Sequence, residues 1–303
     1  METIIQTLLP LIMLIAIGSV LKLTIATEAW VEVLNKLAIY LLFPALIFSG
    51  MMRVELDQID NFSFLYGNAL LLIVIIIALK LGLTKLGIAQ KMVNTYVIAV
   101  FFGNVGYLGF PIVTSLISGS EGVVSMHIAL YTLILFTVGI GILEFDAHKK
   151  VDKKILIDAF KNPLLLAVMA SVILLATDTK LPFAVQKTID MLAGGATPII
   201  LISLGIFLVR PFPKRLSYKH LITLIALKLL IMPSLFWLYF IGGNQSPVLA
   251  ISVLEAAMPI AITPFILAQL YAMERELIAF AVVISSILSI VTLSVWMVLV
   301  GVV

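Results

Sequence analysis

Long runs of apolar residues that no charge interrupts limit this chain more than any other feature. Ala69–Leu79 and Leu164–Ala176 are two of them. A helix needs roughly 20 predominantly apolar residues to cross a bilayer core. Ten segments can be read as such spans: Thr3–Leu23, Val31–Met52, Ser63–Leu86, Val93–Ile117, Gly122–Phe145, Phe160–Ala176, Phe183–Val209, Tyr218–Ile241, Ser246–Leu270 and Leu277–Gly301. Membrane β-strands alternate apolar and polar residues in pieces of about ten, so unbroken runs argue against a barrel. Of the 303 residues, 62% are hydrophobic and 12% charged, against about 45–50% and about 25% in soluble domains. That excludes a soluble globular fold, and it excludes disorder, which needs low hydrophobicity. The expected fold is an all-α membrane protein of ten transmembrane helices.

Basic residues then set the orientation. The net charge of +3 does not point to nucleic acid here, because Lys and Arg fall between the spans. Cytoplasmic loops of membrane proteins carry an excess of Lys and Arg. The longest polar stretch, Glu144–Lys161, holds five lysines. With that loop cytoplasmic, Lys22, Lys36, Lys80, Lys85, Lys91, Arg210, Lys214, Arg215, Lys219 and Arg275 share its side. Only Arg53, Lys180 and Lys187 fall on the other, a ratio of fifteen to three. Both termini of an even-numbered bundle are then extracytoplasmic, in a multi-pass protein of the cell membrane. Met1–Leu9 lacks the basic start of a signal peptide, so the first apolar run is expected to stay as a span. The chain has no cysteine, which removes disulfides, thiolate metal sites and cysteine nucleophiles.

Proline positions suggest an internal repeat. Pro10 and Pro163 are 153 residues apart, and Pro44 and Pro198 are 154 apart. Each of the second pair is followed five residues on by serine, Ser49 and Ser203. Gly103-Asn104 in span 4 and Pro259-Ile260 in span 9 are 156 apart. The halves are then 1–150 and 151–303, each with five spans. An odd number makes the second half enter from the opposite side, so the repeat is inverted. Inverted repeats are common in secondary transporters, whose sites lie near the midplane at broken helices.

Spans 4 and 9 are where helices should break. Span 4 carries Gly103, Gly106, Gly109 and Pro111, and span 9 carries Pro259 and Pro264. Each glycine costs a helix about 1 kcal/mol against alanine and each proline about 3. Proline also frees the carbonyl one turn earlier. Backbone freed at membrane depth must be buried in protein or face a wet cavity, and half-helix N-termini there attract anions. Close packing at the glycines and simple kinks at the prolines are the plainer alternative.

These residues carry a resemblance. Ala257-Met-Pro259-Ile-Ala-Ile-Thr-Pro264-Phe-Ile-Leu-Ala268 resembles the span-9 pattern of the auxin efflux carrier family, and Gly103-Asn104 to Gly109-Phe-Pro111 resembles its span-4 pattern. Asn162-Pro163 and Leu227-Lys228-Leu-Leu-Ile-Met-Pro233 are similar to bacterial members. The resemblance implies two inverted five-helix repeats with helices 4 and 9 crossing at their broken centres. Spans 1, 2, 6 and 7 form a scaffold in it, and spans 3–5 and 8–10 a transport domain. It also implies organic-anion transport by an elevator mechanism, a homodimer through the scaffold, and contact of Asn104 with the substrate carboxylate. Gly103 replaces the family's proline and Ile260 its polar residue, so the pocket differs from that of the plant auxin carriers.

Ionisable residues inside a membrane are functional candidates. Lys228 lies mid-span, about ten residues from either end, too far for its side chain to reach the interface at 1.5 Å per residue. It would attract an anion or act as a fixed cation. Glu255, one turn before Pro259, would carry a proton or ligate Na⁺, as in the bile-acid sodium symporters that share this general architecture. Equally, it would form a structural ion pair with Lys228. His127 and Tyr131 stand four apart on span 5, and a lone apolar-face histidine is more often simply hydrogen-bonded. Asp190 and Lys187 near one end of span 7 read as interfacial. Ser49, Ser203 and Gln269 are weaker candidates.

No phosphate-binding loop, His-Glu-x-x-His, Gly-x-Ser-x-Gly or potassium-filter sequence occurs. No enzyme, ATP-driven pump or resident cofactor is therefore expected. The expected function is secondary transport of a small organic anion such as malate or malonate, coupled to H⁺ or Na⁺. Gly103, Asn104, Tyr107, Tyr131, Pro259, Ile260 and Thr263 would bind substrate, while Lys228 and Glu255 set the electrostatics. A cation/proton antiporter of similar crossover fold is the alternative, weakened because span 4 offers Glu255 no acidic partner. A channel or non-transporting receptor is a further one.

Overall fold

The structure is a computed structural model that describes residues 2–53, 62–148, 161–209, 216–240, 247–268 and 270–303. Gln269, Arg210, Lys214, Arg215 and the lysines 149, 150, 153 and 154 lie outside the described residues. About twelve helices account for nearly all of it. They are α1 (Glu2–Thr24), α2 (Glu28–Leu37 continuing into Phe43–Met51), α3 (Phe62–Lys85), α4 (Gln90–Phe101), α5 (Val105–Leu116) and α6 (Glu121–Ile134 continuing into Ile140–His148). The second half has α7 (Pro163–Ala176), α8 (Phe183–Leu208), α9 (Tyr218–Ala226 continuing into Met232–Phe240), α10 (Pro247–Ala256), α11 (Thr263–Leu267) and α12 (Arg275–Leu299). The described residues form no sheet. Among the described residues, six helical stretches are long and apolar enough to cross a membrane: Ala29–Met51, Phe64–Lys85, Glu121–Ala147, Phe183–Leu208, Tyr218–Phe240 and Arg275–Leu299.

Four π turns interrupt these helices, at Ala38–Leu42, Val105–Gly109, Leu135–Gly139 and Leu227–Ile231. Three have one cause. Proline removes its own N–H donor and its ring collides with the carbonyl four residues back. Pro44, Pro111 and Pro233 place that carbonyl at Tyr40, Tyr107 and Leu229, each inside a π turn. The wider turn carries the helix past the proline without ending it. The turn at Leu135–Gly139 has no such proline; there Thr137 Oγ1 donates back to the Leu133 carbonyl at 2.6 Å.

Apolar side chains point outward as well as inward, as they must when the solvent is lipid. Leu9, Met13, Ile17, Val20 and Leu23 make an exposed stripe along α1 at helical spacing. The inner face of α1 lies on α8, its most extensive contact. Gly18 and Gly205 let the two backbones approach, and Ser19 Oγ donates to the Gly205 carbonyl at 3.2 Å. Helix α8 also packs on α2, which packs on α7. A second set of contacts joins α3 with α4, α9 with α10, and α12 with both of those.

Two hydrogen bonds tie α2 to α8. Ser49 Oγ donates to Asp190 Oδ1 at 2.6 Å, and Ser203 Oγ donates to Asn35 Oδ1 at 3.1 Å. Asp190 also lies near Gln186 and Arg53. The two serines are 154 residues apart and the two acceptors 155, so each bond has its counterpart in the other half of the chain. Ser203→Ala strips the buried Asn35 oxygen of this donor, which costs about 1–3 kcal/mol. A lowered melting temperature in detergent is the expected result; an unchanged one would show that the pair contributes nothing.

Candidate functional site

Helix α4 ends at Phe101, and helical geometry resumes only at Val105. Helix α10 ends at Ala256, and α11 starts at Thr263. The two gaps lie against each other as a short antiparallel bridge between Gly103 and Ile260. Asn104 N–H donates to the Pro259 carbonyl at 2.7 Å, and Ala261 N–H donates to Phe102 at 2.8 Å. Ile260 N–H donates to Ser285 Oγ on α12 at 3.1 Å. Backbone groups released by both breaks thus satisfy one another in a water-poor interior. Asn104 donating to Pro259 mirrors Ala261 donating to Phe102, and the equivalent positions 102 and 259, 103 and 260, and 104 and 261 are each 157 apart, which gives the crossing a near-twofold character.

The sequence placed the span-4 break over Gly103 to Pro111. Only Phe102–Asn104 leave helical geometry. Gly106 and Gly109 fall within the π turn, and Pro111 sits at the start of the regular part of α5. The π turn is what absorbs Pro111. Gly106 is needed for another reason: a Cβ there would enter the Phe43 ring of α2. Pro264 likewise sits in the first turn of α11, where a missing N–H costs nothing.

A cavity of about 670 Å³ lies on one side of the crossing. Gly103, Asn104, Gly106, Tyr107 and Thr263 line its inner end, and Phe43, Phe102 and Phe136 form apolar walls. It extends to Glu144, Lys161, Asn162 and Tyr271. Tyr271 Oη donates to Glu144 Oε1 at 2.6 Å. Burial, and then the carboxylate beside it, push the Tyr271 phenol above its ordinary pKa, so it stays a donor. Asn162 caps α7, its Oδ1 accepting from Leu164 N–H at 2.9 Å.

Not all the expected binding residues reach this cavity. Tyr131 and Ile260 are buried and do not line it, and neither does Pro259. Pro259 and Ile260 act instead through the backbone of the crossing. The Tyr131 hydroxyl has no partner among the described residues. His127 is stacked on Phe64 at 5.8 Å and tilted against Tyr131 at 5.6 Å between centroids, and neither ring nitrogen has a hydrogen-bond partner among the described residues.

Lys228 and Glu255 are both fully buried beside the crossing. No direct hydrogen bond joins them. Lys228 Nζ donates to the Ala256 carbonyl at 3.1 Å, and both Glu255 oxygens lack a partner among the described residues. The direct structural pair therefore does not form. Each side chain rests against a glycine of span 4. A Cβ on Gly103 would come within 2.7 Å of Lys228 Nζ, and one on Gly109 within 2.8 Å of the Glu255 carboxyl carbon. The described residues hold no cluster of three metal-ligating side chains.

Sequence reasoning missed Phe43, Thr132, Phe136, Tyr271 and Ser285. Aromatic and hydroxyl residues recur throughout apolar helices, so nothing in the sequence separates these from lipid-facing ones.

Residues 1–297 match the family described as membrane transport protein. This chain is a member of that family, which is that of the auxin efflux carriers. It is a multi-pass membrane transporter and not an enzyme. An uncharacterized transporter of Methanothermobacter thermautotrophicus is 30% identical over 96% of both chains. Another, from Methanocaldococcus jannaschii, is 28% identical over 96% of this chain and 97% of its own. A protein of Rhizobium meliloti, provisionally named a malonate transporter, is 25% identical over 86% and 84%.

Proposed function

We propose that this transporter is a secondary carrier of small organic anions, carboxylates of the malonate or malate kind. The observation that carries this reading is Asn104. It lines the inner end of the cavity, 3% exposed, with an amide nitrogen that has no partner among the described residues. It also opens α5, whose first N–H groups have no intrahelical acceptor and whose dipole favours an anion. Lys228 adds positive charge behind the crossing without entering the cavity. The name of the Rhizobium relative points to the same class of substrate.

The matched bonds between α2 and α8 and the near-twofold crossing support two inverted halves, 1–150 and 151–303. In this reading α1, α2, α7 and α8 are a fixed scaffold, through which a homodimer would form. The remaining helices carry the site through the membrane as an elevator. With the 144–161 end cytoplasmic and both termini outside, the cavity faces the cytoplasm.

A thermal-shift screen of purified protein against small carboxylates, followed by counterflow uptake in proteoliposomes, tests the reading. A ligand at 100 times its dissociation constant stabilises the folded state by about 2.7 kcal/mol. A carboxylate that both stabilises the protein and exchanges across the membrane is the expected outcome. Stabilisation by Na⁺ or Li⁺ with no response to any carboxylate would favour a cation antiporter instead.

A further inference from the structure

We propose that the Lys228 ammonium is a resident cation, occupying the place at the crossing that a coupling metal ion would fill, so that the carrier works without sodium.

The surroundings of Lys228 are those of a cation site. Helix α10 stops at Ala256, and the end of a helix carries partial negative charge on its unpaired carbonyls. One of these, on Ala256, accepts from Lys228 Nζ. The preceding residue is Glu255, whose carboxylate is buried with both oxygens unpartnered among the described residues. The Ala256 carbonyl touches the ammonium directly, while the Glu255 carboxylate stands beyond hydrogen-bonding distance of it; with the side chain gone, these are the oxygens that Na⁺ would draw on. Here a side chain of the protein supplies the positive charge.

The fold holds the ammonium there. Pro233 imposes the π turn Leu227–Ile231 that contains Lys228. Trp296 on α12 fastens that turn by donating Nε1–H to the Leu229 carbonyl at 3.1 Å. Gly103 completes the seat, since any Cβ at that position would press on Nζ from 2.7 Å. Gly103 and Lys228 are therefore a matched pair. Lys228 is fully buried and does not line the cavity, while Gly103 does. The ammonium acts on a bound anion across the Gly103 backbone and is not a substrate ligand.

The inference leans on the proposed carrier function only for the word coupling. Its test reads sodium binding, so it stands or falls separately from the choice of substrate. The full-length protein is melted in NaCl and in choline chloride at equal ionic strength, and ²²Na⁺ binding is measured alongside. Wild type is expected to melt identically in both and to bind no ²²Na⁺. Lys228→Ala, which removes the charge and opens room, is expected to gain a saturable, sodium-specific rise of several degrees. Adding Glu255→Gln should abolish that gain, and Lys228→Met, which fills the space without charge, should not show it. Saturable sodium binding by wild type would overturn the proposal, whether or not any variant folds. So would a folded Lys228→Ala protein indifferent to sodium. A double-mutant cycle adds a check free of sodium. Gly103→Ala should lower the melting point more in wild type than in the Lys228→Ala background, and additive effects would overturn the matched pair.

Discussion

Gly205→Val is expected to leave almost no monodisperse carrier after extraction into detergent. The two helices α1 and α8 meet backbone to backbone at this point. A Cβ on Gly205 would run into the Ile15 carbonyl and come within 2.9 Å of the Gly18 Cα. No flexible side chain stands there to move aside, so the helices themselves must separate. Separation would also break the Ser19 bond to the Gly205 carbonyl. Overpacking against side chains costs about 1–3 kcal/mol, and a clash with rigid backbone on both sides exceeds that. Whole domains are stable by only about 5–15 kcal/mol. Gly194 is the control, because it lies on the same helix and a Cβ there meets nothing within 4 Å. Gly194→Val carries the same change in helix propensity without the clash. Fluorescence-detected size exclusion and a melting curve compare the two. If Gly205→Val ran and melted like Gly194→Val, the backbone contact would not be holding α1 to α8.

What could be read in advance follows from which physical signals survive in an apolar sequence. Helix existence was legible, because the bilayer demands long apolar runs. Where helices would fail was largely legible, because glycine and proline act through the backbone whatever surrounds them. Even so, Pro111 read as part of the span-4 break, yet it is absorbed by a π turn just as Pro233 is, and α4 breaks earlier, at Phe102. Proline chemistry cannot tell these outcomes apart without the neighbouring packing. Lys228 and Glu255 stood out because charge in a membrane is rare. Their partners did not, since the Ala256 carbonyl and the missing Cβ of Gly103 leave no mark on residue type. Phe43 and Phe136 were invisible for a related reason. A phenylalanine facing a cavity and one facing lipid obey the same hydropathy.

Asn104→Ala is expected to cut carboxylate uptake about 10- to 100-fold while leaving the fold intact or slightly firmer. Loss of a hydrogen bond to a charged ligand costs about 1.5–3 kcal/mol, and every 1.4 kcal/mol is a factor of about ten in affinity. The structural role of Asn104 lies in its backbone, through the N–H that donates to Pro259 and the carbonyl that accepts from Leu108 and Gly109. Alanine keeps all of these. The side-chain nitrogen, by contrast, is buried without a partner in the described residues, so removing it relieves an unsatisfied donor. Opposite signs for stability and transport are the mark of a group held ready for a ligand. Asn104→Asp sharpens the test, because it keeps the shape but sets a negative charge against the substrate carboxylate, and its loss should be larger still. Uptake is measured in proteoliposomes with the carboxylate that stabilises wild type, beside a melting curve for each variant. If Asn104→Ala kept full uptake, the carboxylate would have to be bound elsewhere in the cavity. If it lost uptake together with its melting point, Asn104 would be a strut of the crossing and no ligand of the substrate.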